Sequence, residues 1–368
     1  MFGRPATDPT KRHRLFWPIA TGYAVLLFAW SALRHAHHGS HALDLGAYHQ
    51  IFYGLSTRGS LWSPIEQIHQ WSAHLEVGLL PLAVFYRVAP SPLWLFALQA
   101  AACAATAIPV DALARRFTGD ARVALTIAVA TILTPQLLFA SIDDFHSITL
   151  CAYPLAVLAI VKAPRRAAVP LLVLAPLILV QLYSSRVLVF SIESQYGAPL
   201  VPLLGVAGAL GIGVLTKWKR SDLAPAAALV WLAITAAHAL FAVGPLAYAA
   251  GGPLDCAFSG SARAAALERA VSAIPRGVAV TAQDAITPHL SGDVRLWPDA
   301  EDTAHFVLLD ANVAASDRPE DVAFAAARLR TDPRFAVRVD EAGILLLERR
   351  ALDPLRIRSS APSFDDAP

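Results

Sequence analysis

The stretch "LFWPIATGYAVLLFAWSAL", residues 15–33, carries no formal charge and decides the fold class of this chain. A helix of about 20 apolar residues crosses the hydrocarbon core of a bilayer, and this stretch is long enough. The basic group "KRHR" (residues 11–14) precedes it, and "RHAHH" follows it where a signal peptide would have small residues at a cleavage site. We therefore expect an uncleaved first membrane span.

The composition of the whole chain favours the same class of protein. Of its 368 residues, 56% are hydrophobic and only 16% are charged, whereas soluble domains contain roughly 25% charged residues. The sequence predicts a polytopic α-helical transmembrane domain over residues 1–254. Its spans, about seven in number, lie near residues 15–33, 92–110, 123–142, 147–161, 167–185, 194–216 and 223–250.

The distribution of basic residues sets the expected topology. The apolar stretch 77–86 has only ten residues before Arg87, which is typical of an interfacial or re-entrant segment. If it does not span, four basic clusters all face the cytoplasm, as the positive-inside rule requires. These clusters are Lys11 to Arg14, Arg115/Arg116/Arg122, Lys162/Arg165/Arg166 and Lys217/Lys219/Arg220. This topology places the N-terminus in the cytoplasm. The first loop, residues 35–91, and the C-terminal region then lie on the extracytoplasmic face.

The composition changes after residue 254, where helical and strand patterns alternate. "ALERAVSAIP" has helical spacing, "GVAVTAQ", "VRLWP" and "HFVLLD" are typical strands, and "FAVRVDEAGILLLER" is typical of a hairpin that turns at Glu341–Gly343. We expect a small extracytoplasmic α/β domain over residues 255–350. Residues 351–368 are rich in Ser, Pro and Asp and are predicted to be a disordered tail.

Charge and cysteine content exclude several classes of partner. A formal net charge of +2 does not indicate nucleic acid, and the lipid bilayer is the expected partner. Cys103 and Cys151 lie in apolar runs while Cys256 does not, so the sequence indicates neither a disulfide framework nor a thiolate metal site. The sequence does not indicate an oligomeric state.

The segment "RHAHHGSHALDLGAYHQ", residues 34–50, contains the first candidate site. Asp44, a few residues beyond the first span, is a candidate catalytic general base for an acceptor hydroxyl. The alternative is that Asp44 caps the following amphipathic helix. His37 and His41 are weak metal candidates, since imidazole is a common zinc ligand. Gly39 and Ser40 instead favour an ordinary polar loop.

Other polar residues lie on the same predicted face of the membrane. Asp143 is a further weak metal candidate, and Asp144 and His146 could orient a phosphate through a cation; the alternative is a polar turn between helices. His74 and Arg186 are candidate substrate-binding residues, because a cation at this boundary can receive a lipid phosphate. The identity of any metal or cofactor is unknown at this stage, and a divalent cation is the candidate.

The order of several motifs resembles the bacterial membrane proteins of the domain of unknown function 2079 family. The motifs, spread over most of residues 40–310, are "LDLGAYHQ", "HLEVGLLPL", "APSPLWLFALQA", "DDFH", "QYGAPLVPLLGVA", "AIPRGVAVTAQDAITPHLS" and "HFVLLD". That family is similar in turn to GT-C type glycosyltransferases. The resemblance implies a bacterial inner-membrane enzyme that transfers a sugar from a polyprenyl-phosphate donor on the extracytoplasmic face.

The resemblance also implies roles for individual residues. Asp44 matches the catalytic aspartate of the first loop, and Asp144 with His146 matches a second polar site. The sequence departs from the family where His49 replaces an acid and where an acidic motif between about residues 162 and 170 is missing. These departures favour the alternative of a non-catalytic membrane protein that binds a lipid-linked glycan, transports a solute or scaffolds an envelope complex.

Overall fold

The structure is a computed structural model, and it describes residues 12–73, 79–147, 150, 198, 200–217, 222–240, 262–311 and 319–350. In chain order the helical elements are α1 (Phe16–Ala36), a π-helical turn (Ala42–Gly46), α2 (Ala47–Arg58), α3 (Gln70–Ala73), α4 (Leu82–Val88), α5 (Leu93–Ala105), α6 (Ala107–Thr118), α7 (Ala121–Ile132), α8 (Pro135–Asp143), α9 (Val201–Lys217), α10 (Leu223–His238), α11 (Ala262–Ala273), a 3-10 helix (Thr287–His289) and α12 (Pro319–Arg330). The strands are β1 (Trp62–Ser63), β2 (Ile68–His69), β3 (Ala279–Ala282), β4 (Asp293–Leu296), β5 (Phe306–Asp310), β6 (Phe335–Glu341) and β7 (Ile344–Arg349).

The chain divides into two compact units. The first unit comprises Met1–Arg34 and Leu95–Asp255, and the second comprises His35–Trp94 and Cys256–Pro368. The predicted first loop, residues 35–91, therefore falls in the same unit as the C-terminal α/β region. The predicted boundary between residues 254 and 255 lies outside the described residues.

Two helices of the described residues are long and apolar enough to cross a membrane. They are α1 and the continuous segment Leu93–Thr118, and a third span is present if α7 and α8, bent by 50° at their junction, count as one. In α1, large apolar side chains such as Leu26 are exposed, by 71% in that case, which is typical of a surface that faces lipid. The predicted spans near 15–33, 92–110 and 123–142 thus have helical counterparts.

The remaining predicted spans have less support. Helices α9 and α10 are apolar but contain 17 and 16 residues, shorter than a typical span of about 20. The predicted spans near 147–161 and 167–185 lie almost wholly outside the described residues, so the count of seven stays a prediction. Helix α4 begins within the apolar stretch 77–86 and ends at Val88. It has only seven residues, which is too short to cross a bilayer.

Polar side chains fix the helices of the first unit where the backbone is interrupted. Helix α7 ends at Ile132, and the carbonyl of that residue accepts a hydrogen bond of 2.6 Å from the hydroxyl of Tyr23 in α1. The hydroxyl of Ser31 donates to the Ser141 carbonyl in α8 at 3.0 Å. Because an unpaired carbonyl is costly in an apolar environment, these bonds define how α1 packs against the bent pair.

Helices α9 and α10 approach each other closely at Gly208. A Cβ atom added at Gly208 would overlap the six-membered ring of Trp231, whereas one added at Gly211, on the same helix, would meet nothing within 4 Å. Small residues allow this kind of close approach between membrane helices.

Replacing Gly208 with alanine should therefore destabilise the protein by about 1–3 kcal/mol through overpacking. The measurement is the thermal midpoint of the purified full chain in detergent, with Gly211→Ala as the matched control. The control should leave the midpoint unchanged or raise it slightly, because alanine is the better helix former. Equal effects at both positions would contradict the packing argument.

The C-terminal region is a five-stranded mixed sheet with helices on both faces. The strand order is β4-β3-β5-β7-β6, with β3 parallel to both β4 and β5, and β7 antiparallel to β5 and β6. Alternate residues of β5 and β7 face opposite helices: Phe306, Leu308, Ile344 and Leu346 pack in the core of α11, while Val307, Leu309, Leu345 and Leu347 pack in the core of α12. The strands, helices and hairpin expected after residue 254 are confirmed.

Candidate functional site

Asp44 lies in the π-helical turn that precedes α2, and its side chain is half-buried. The N-cap positions are His41 for the turn and Gly46 for α2, and neither residue makes a side-chain capping hydrogen bond. Asp44 therefore does not occupy the N-cap position of either element, because the chain enters α2 through a π turn. Turns of this type are rare and are frequent at functional sites. Asp44 keeps its place as the candidate base.

Asp284, in the loop after β3, holds the start of the π turn. Its Oδ1 accepts a 2.6 Å hydrogen bond from the backbone N–H of Ala42, and its Oδ2 lies 2.8 Å from Nδ1 of His41. Burial alone would raise the pKa of Asp284, but the hydrogen bonds from His41 and Ala42 bring it below its ordinary value. The ionised carboxylate thus fixes the backbone two residues before Asp44.

Two consecutive residues of α2 bind the segment that follows the 3-10 helix. The amide of Gln50 donates to the Leu290 carbonyl at 2.6 Å and accepts from the N–H of Gly292 at 3.0 Å. His49 is 1% exposed, and its Nε2 lies 3.0 Å from the hydroxyl of Ser291. The residue that replaces the expected acid is therefore a buried structural contact.

The pKa of His49 is lowered to about 3, first by burial and then by the charges of His35 and Arg276. On its other side, Nδ1 of His49 lies 3.3 Å from the hydroxyl of Tyr86 in α4, and burial raises the pKa of that phenol. Both rings are consequently neutral near pH 7.

Three further imidazoles form a histidine stack, which we define as His35, His38 and His289. The rings of His35 and His289 are parallel within 2° with centroids 4.1 Å apart, and the ring of His38 lies 4.1 Å from that of His289. Burial and the neighbouring imidazoles lower the pKa of His289 well below its ordinary value. Within the described parts of the chain, Nδ1 of His38 and Nε2 of His289 are buried without a hydrogen-bond partner. The stack is therefore uncharged and incompletely bonded.

The metal candidates gain no support from the described residues, among which no group of three or more His, Cys, Asp or Glu side chains is placed to hold a metal ion. His41 contacts Asp284, and His37 is half-buried in the turn after α1. Asp143 is the last residue of α8, and its side chain lies outside the described part.

Asp144 and His146 lie together in the turn after α8, in the first unit. Gln99 of α5 accepts a 2.7 Å hydrogen bond from the N–H of His146 and donates to the Asp144 carbonyl at 2.8 Å. Nδ1 of His146 lies 2.8 Å from the Ala140 carbonyl, and Oδ1 of Asp144 accepts from the N–H of Phe145 at 2.7 Å. Asp144 and His146 are only 2% and 5% exposed. Both are thus brought together, but in a buried and backbone-bound environment.

The candidate site residues do not all lie in one described unit. Asp44 belongs to the second unit and Asp144 with His146 to the first. The positions of His74 and Arg186 lie outside the described residues.

Asp284, His289, Ser291 and Arg276 were not singled out in the sequence, although all four contribute to the surroundings of the first loop. A usable signal was present: the polar run "QDAITPHLS", residues 283–291, directly follows the strand β3. Loops at strand ends often carry functional side chains. The titratable residues of this run, Asp284 and His289, were therefore recognisable as candidate contacts of the first loop.

A comparison with known families gives one match. The model of the domain of unknown function 2079 family, described as a predicted membrane protein, matches residues 34–169. The family match and the two candidate spans both indicate a protein of the membrane. The chain is a membrane protein. The matched segment includes Asp44, Asp144 and His146 but not the α/β region, so it is narrower than the resemblance over residues 40–310. No curated protein and no solved structure matches the chain, and nothing in these comparisons links it to GT-C type glycosyltransferases.

Proposed function

We propose that this membrane protein is a GT-C-like glycosyltransferase of the bacterial inner membrane, which transfers a sugar from a polyprenyl phosphate on the extracytoplasmic face. The observation that carries the proposal is the placement of Asp44. Its carboxylate is half-buried in a π-helical turn, eight residues beyond the end of α1 (Phe16–Ala36). A base for a lipid-linked substrate has to act close to the membrane surface.

The reaction assigned to Asp44 is general-base catalysis. Its carboxylate takes the proton of an acceptor hydroxyl while the hydroxyl oxygen attacks the anomeric carbon of the donor. The bond from that carbon to the phosphate oxygen breaks, the polyprenyl phosphate leaves with the electron pair, and the anomeric configuration inverts. The roles expected from the sequence for His74, Asp144, His146 and Arg186 toward the departing phosphate, with a divalent cation as an optional partner, stay predictions.

The surroundings of Asp44 suit such a role. Asp284 fixes the first residues of the π turn from one side, and Gln50 anchors α2 directly after it. A base that is held by hydrogen-bonded neighbours has less conformational freedom to lose when the substrate binds, and positioning of this kind contributes substantially to rate.

The second candidate function is binding of a lipid-linked glycan without catalysis. It is favoured by the burial of Asp144 and His146, whose side chains contact backbone groups of their own turn. It is also favoured by His49, which stands in place of an acid and has its pKa lowered to about 3 by burial. Both candidate functions share the membrane location and the lipid-phosphate ligand. Only sugar transfer requires the carboxylate of Asp44.

The variant Asp44→Asn tests the choice between them. We expect it to reduce the release of polyprenyl phosphate from a radiolabelled polyprenyl-phosphate hexose by at least about 100-fold, since general-base catalysis contributes 10²–10⁴-fold. The measurement uses the full chain in membrane vesicles with an envelope extract as the acceptor.

The control is Asp293→Asn in β4, which removes a partly exposed carboxylate paired with Arg295 at 3.6 Å. It should retain full activity, and both variants should keep the thermal midpoint of the parent chain. Unchanged activity in Asp44→Asn would contradict the assignment of Asp44 as the catalytic base and favour glycan binding without catalysis.

A further inference from the structure

The second unit contains a cavity of about 430 Å³, and none of the predicted site residues that the structure describes lines it. Its walls come from the end of α11 with the following loop, from the 3-10 helix and the residues after it, from residues 90–92, and from His35 and His49. A volume of this size lies within the range typical of small-molecule sites, about 300–1,000 Å³. The cavity is therefore large enough for a phosphate with a small organic substituent.

Among the described residues, the lining is rich in hydrogen-bond donors and contains no acidic residue. Hydroxyl groups come from Ser91, Ser272 and Ser291, and the only formal charge in this described lining is the guanidinium of Arg276. Arg276 is exposed, and it makes no ion pair within the part of the chain that the structure describes. A cation with hydroxyl donors and without a carboxylate is the arrangement that binds an anion.

The histidines behind the cavity point to the same ligand chemistry. His35, His49 and His289 line its wall, and among the described residues Nε2 of His289 is buried without a hydrogen-bond partner. Neutral imidazoles can donate one hydrogen bond each. Because these rings are neutral, the positive charge beside them is that of Arg276, which is one of the causes that lower the pKa of His49. An anion in the cavity would offset this charge.

The position of the cavity along the chain indicates where the anion could come from. His35 is the penultimate residue of α1, and Pro92 directly precedes α5, the start of the second candidate span. The wall therefore includes residues at the ends of two candidate membrane spans. Phosphates of lipid headgroups lie at this level of a bilayer, and soluble phosphates also reach it.

We propose that this cavity is a binding site for a phosphate group, with Arg276 as its charged ligand and the hydroxyls of Ser272 and Ser291 as hydrogen-bond donors. The proposal does not depend on sugar transfer or on Asp44. It assigns to the loop after α11 and to the residues after the 3-10 helix a role that the first-loop candidates do not include.

The test compares Arg276→Gln with Arg87→Gln in the full chain. Both variants remove one exposed arginine and change the net charge equally, but Arg87 lies in the last turn of α4 and does not line the cavity. Equilibrium dialysis in detergent with ³²P-labelled inorganic phosphate measures the soluble source. Native mass spectrometry after reconstitution in phosphatidylglycerol, with phosphatidylcholine as reference, measures the lipid source.

If the site takes soluble phosphate, the parent chain and Arg87→Gln should bind it saturably, and Arg276→Gln should bind at least about ten-fold more weakly, as expected for loss of a charge-assisted hydrogen bond. If the site takes a headgroup, the parent and Arg87→Gln should retain phosphatidylglycerol that Arg276→Gln loses. Binding of neither anion by the parent chain, or equal binding by both variants, would overturn the proposal. Ser291→Ala provides a second variant, with a smaller loss expected in the same arm. Loss of sugar transfer in Asp44→Asn would not bear on any of these outcomes.

Discussion

Lowering the pH from 7 to 5 should reduce the free energy of unfolding of this protein by at least about 2 kcal/mol through His49 alone. The pKa of His49 is lowered from 6.5 to about 3 by burial and by neighbouring positive charge. Between these two values the unfolded chain takes up a proton that the folded chain does not. The contribution of His49 to the free energy of unfolding is therefore complete above pH 6.5. Below that pH it falls by about 1.4 kcal/mol per pH unit. Burial shifts the pKa of His289 in the same direction, so its contribution has the same sign.

The measurement is the thermal midpoint of the full chain in detergent at pH 7 and pH 5. The variant His49→Gln cannot take up this proton, and it should lose less stability on acidification than the parent chain does. The matched control is His305→Gln, which removes an exposed histidine of the α/β region. It should show the same pH dependence as the parent. A midpoint that rises between pH 7 and pH 5, or an identical pH dependence in His49→Gln, would contradict the burial of a neutral imidazole.

The α/β region shows which parts of the fold are predictable from sequence. In β5 and β7 every second residue faces the same helix, and each strand begins with four consecutive apolar residues. Such local patterns can be read without knowing what a strand contacts. The hairpin turn was also predictable, because glycine favours such turns; in the structure Ala342 and Gly343 have positive φ angles of 50° and 83°.

The surroundings of Asp44 could not be predicted in the same way. Asp284 contacts His41 and Ala42 across more than 240 residues of sequence, and Gln50 contacts Leu290 across 240. No local spacing encodes these pairs. His289 lies in a three-residue 3-10 helix, where a single histidine has no periodicity that would distinguish it. The sequence left Asp44 as either a general base or a helix cap, and its local pattern does not distinguish a π turn from an ordinary helix N-terminus.

A different principle governs the charges in the first unit. Asp111 of α6 is fully buried, and its Oδ2 lies 3.0 Å from Nε of Arg115 and 3.2 Å from Nε of Arg12. Arg115 is itself buried, whereas Arg12 is partly exposed and can reach solvent with its long side chain. The buried carboxylate thus compensates a buried guanidinium within a candidate span.

Asp111→Ala should therefore destabilise the protein by about 3–5 kcal/mol, because it removes the carboxylate that compensates the buried charge of Arg115. This corresponds to a thermal midpoint lower by about 10 °C. The double variant Asp111→Leu with Arg115→Leu removes both charges and fills the space with apolar groups. It should be considerably more stable than Asp111→Ala, since replacing a buried ion pair by apolar residues is often neutral.

The coupling energy of the pair comes from a cycle in which Asp111→Leu and Arg115→Leu are each compared with the double variant. If Asp111→Ala and the double variant lose the same stability, the cost comes from packing and not from an uncompensated charge. Asp120→Ala is the appropriate reference for an aspartate outside the buried pair, since Asp120 caps α7 through the N–H groups of Arg122 and Val123. Loss of such a cap costs about 1 kcal/mol. If the Asp111 carboxylate stabilises a buried charge, the destabilisation by Asp111→Ala should exceed that by Asp120→Ala severalfold.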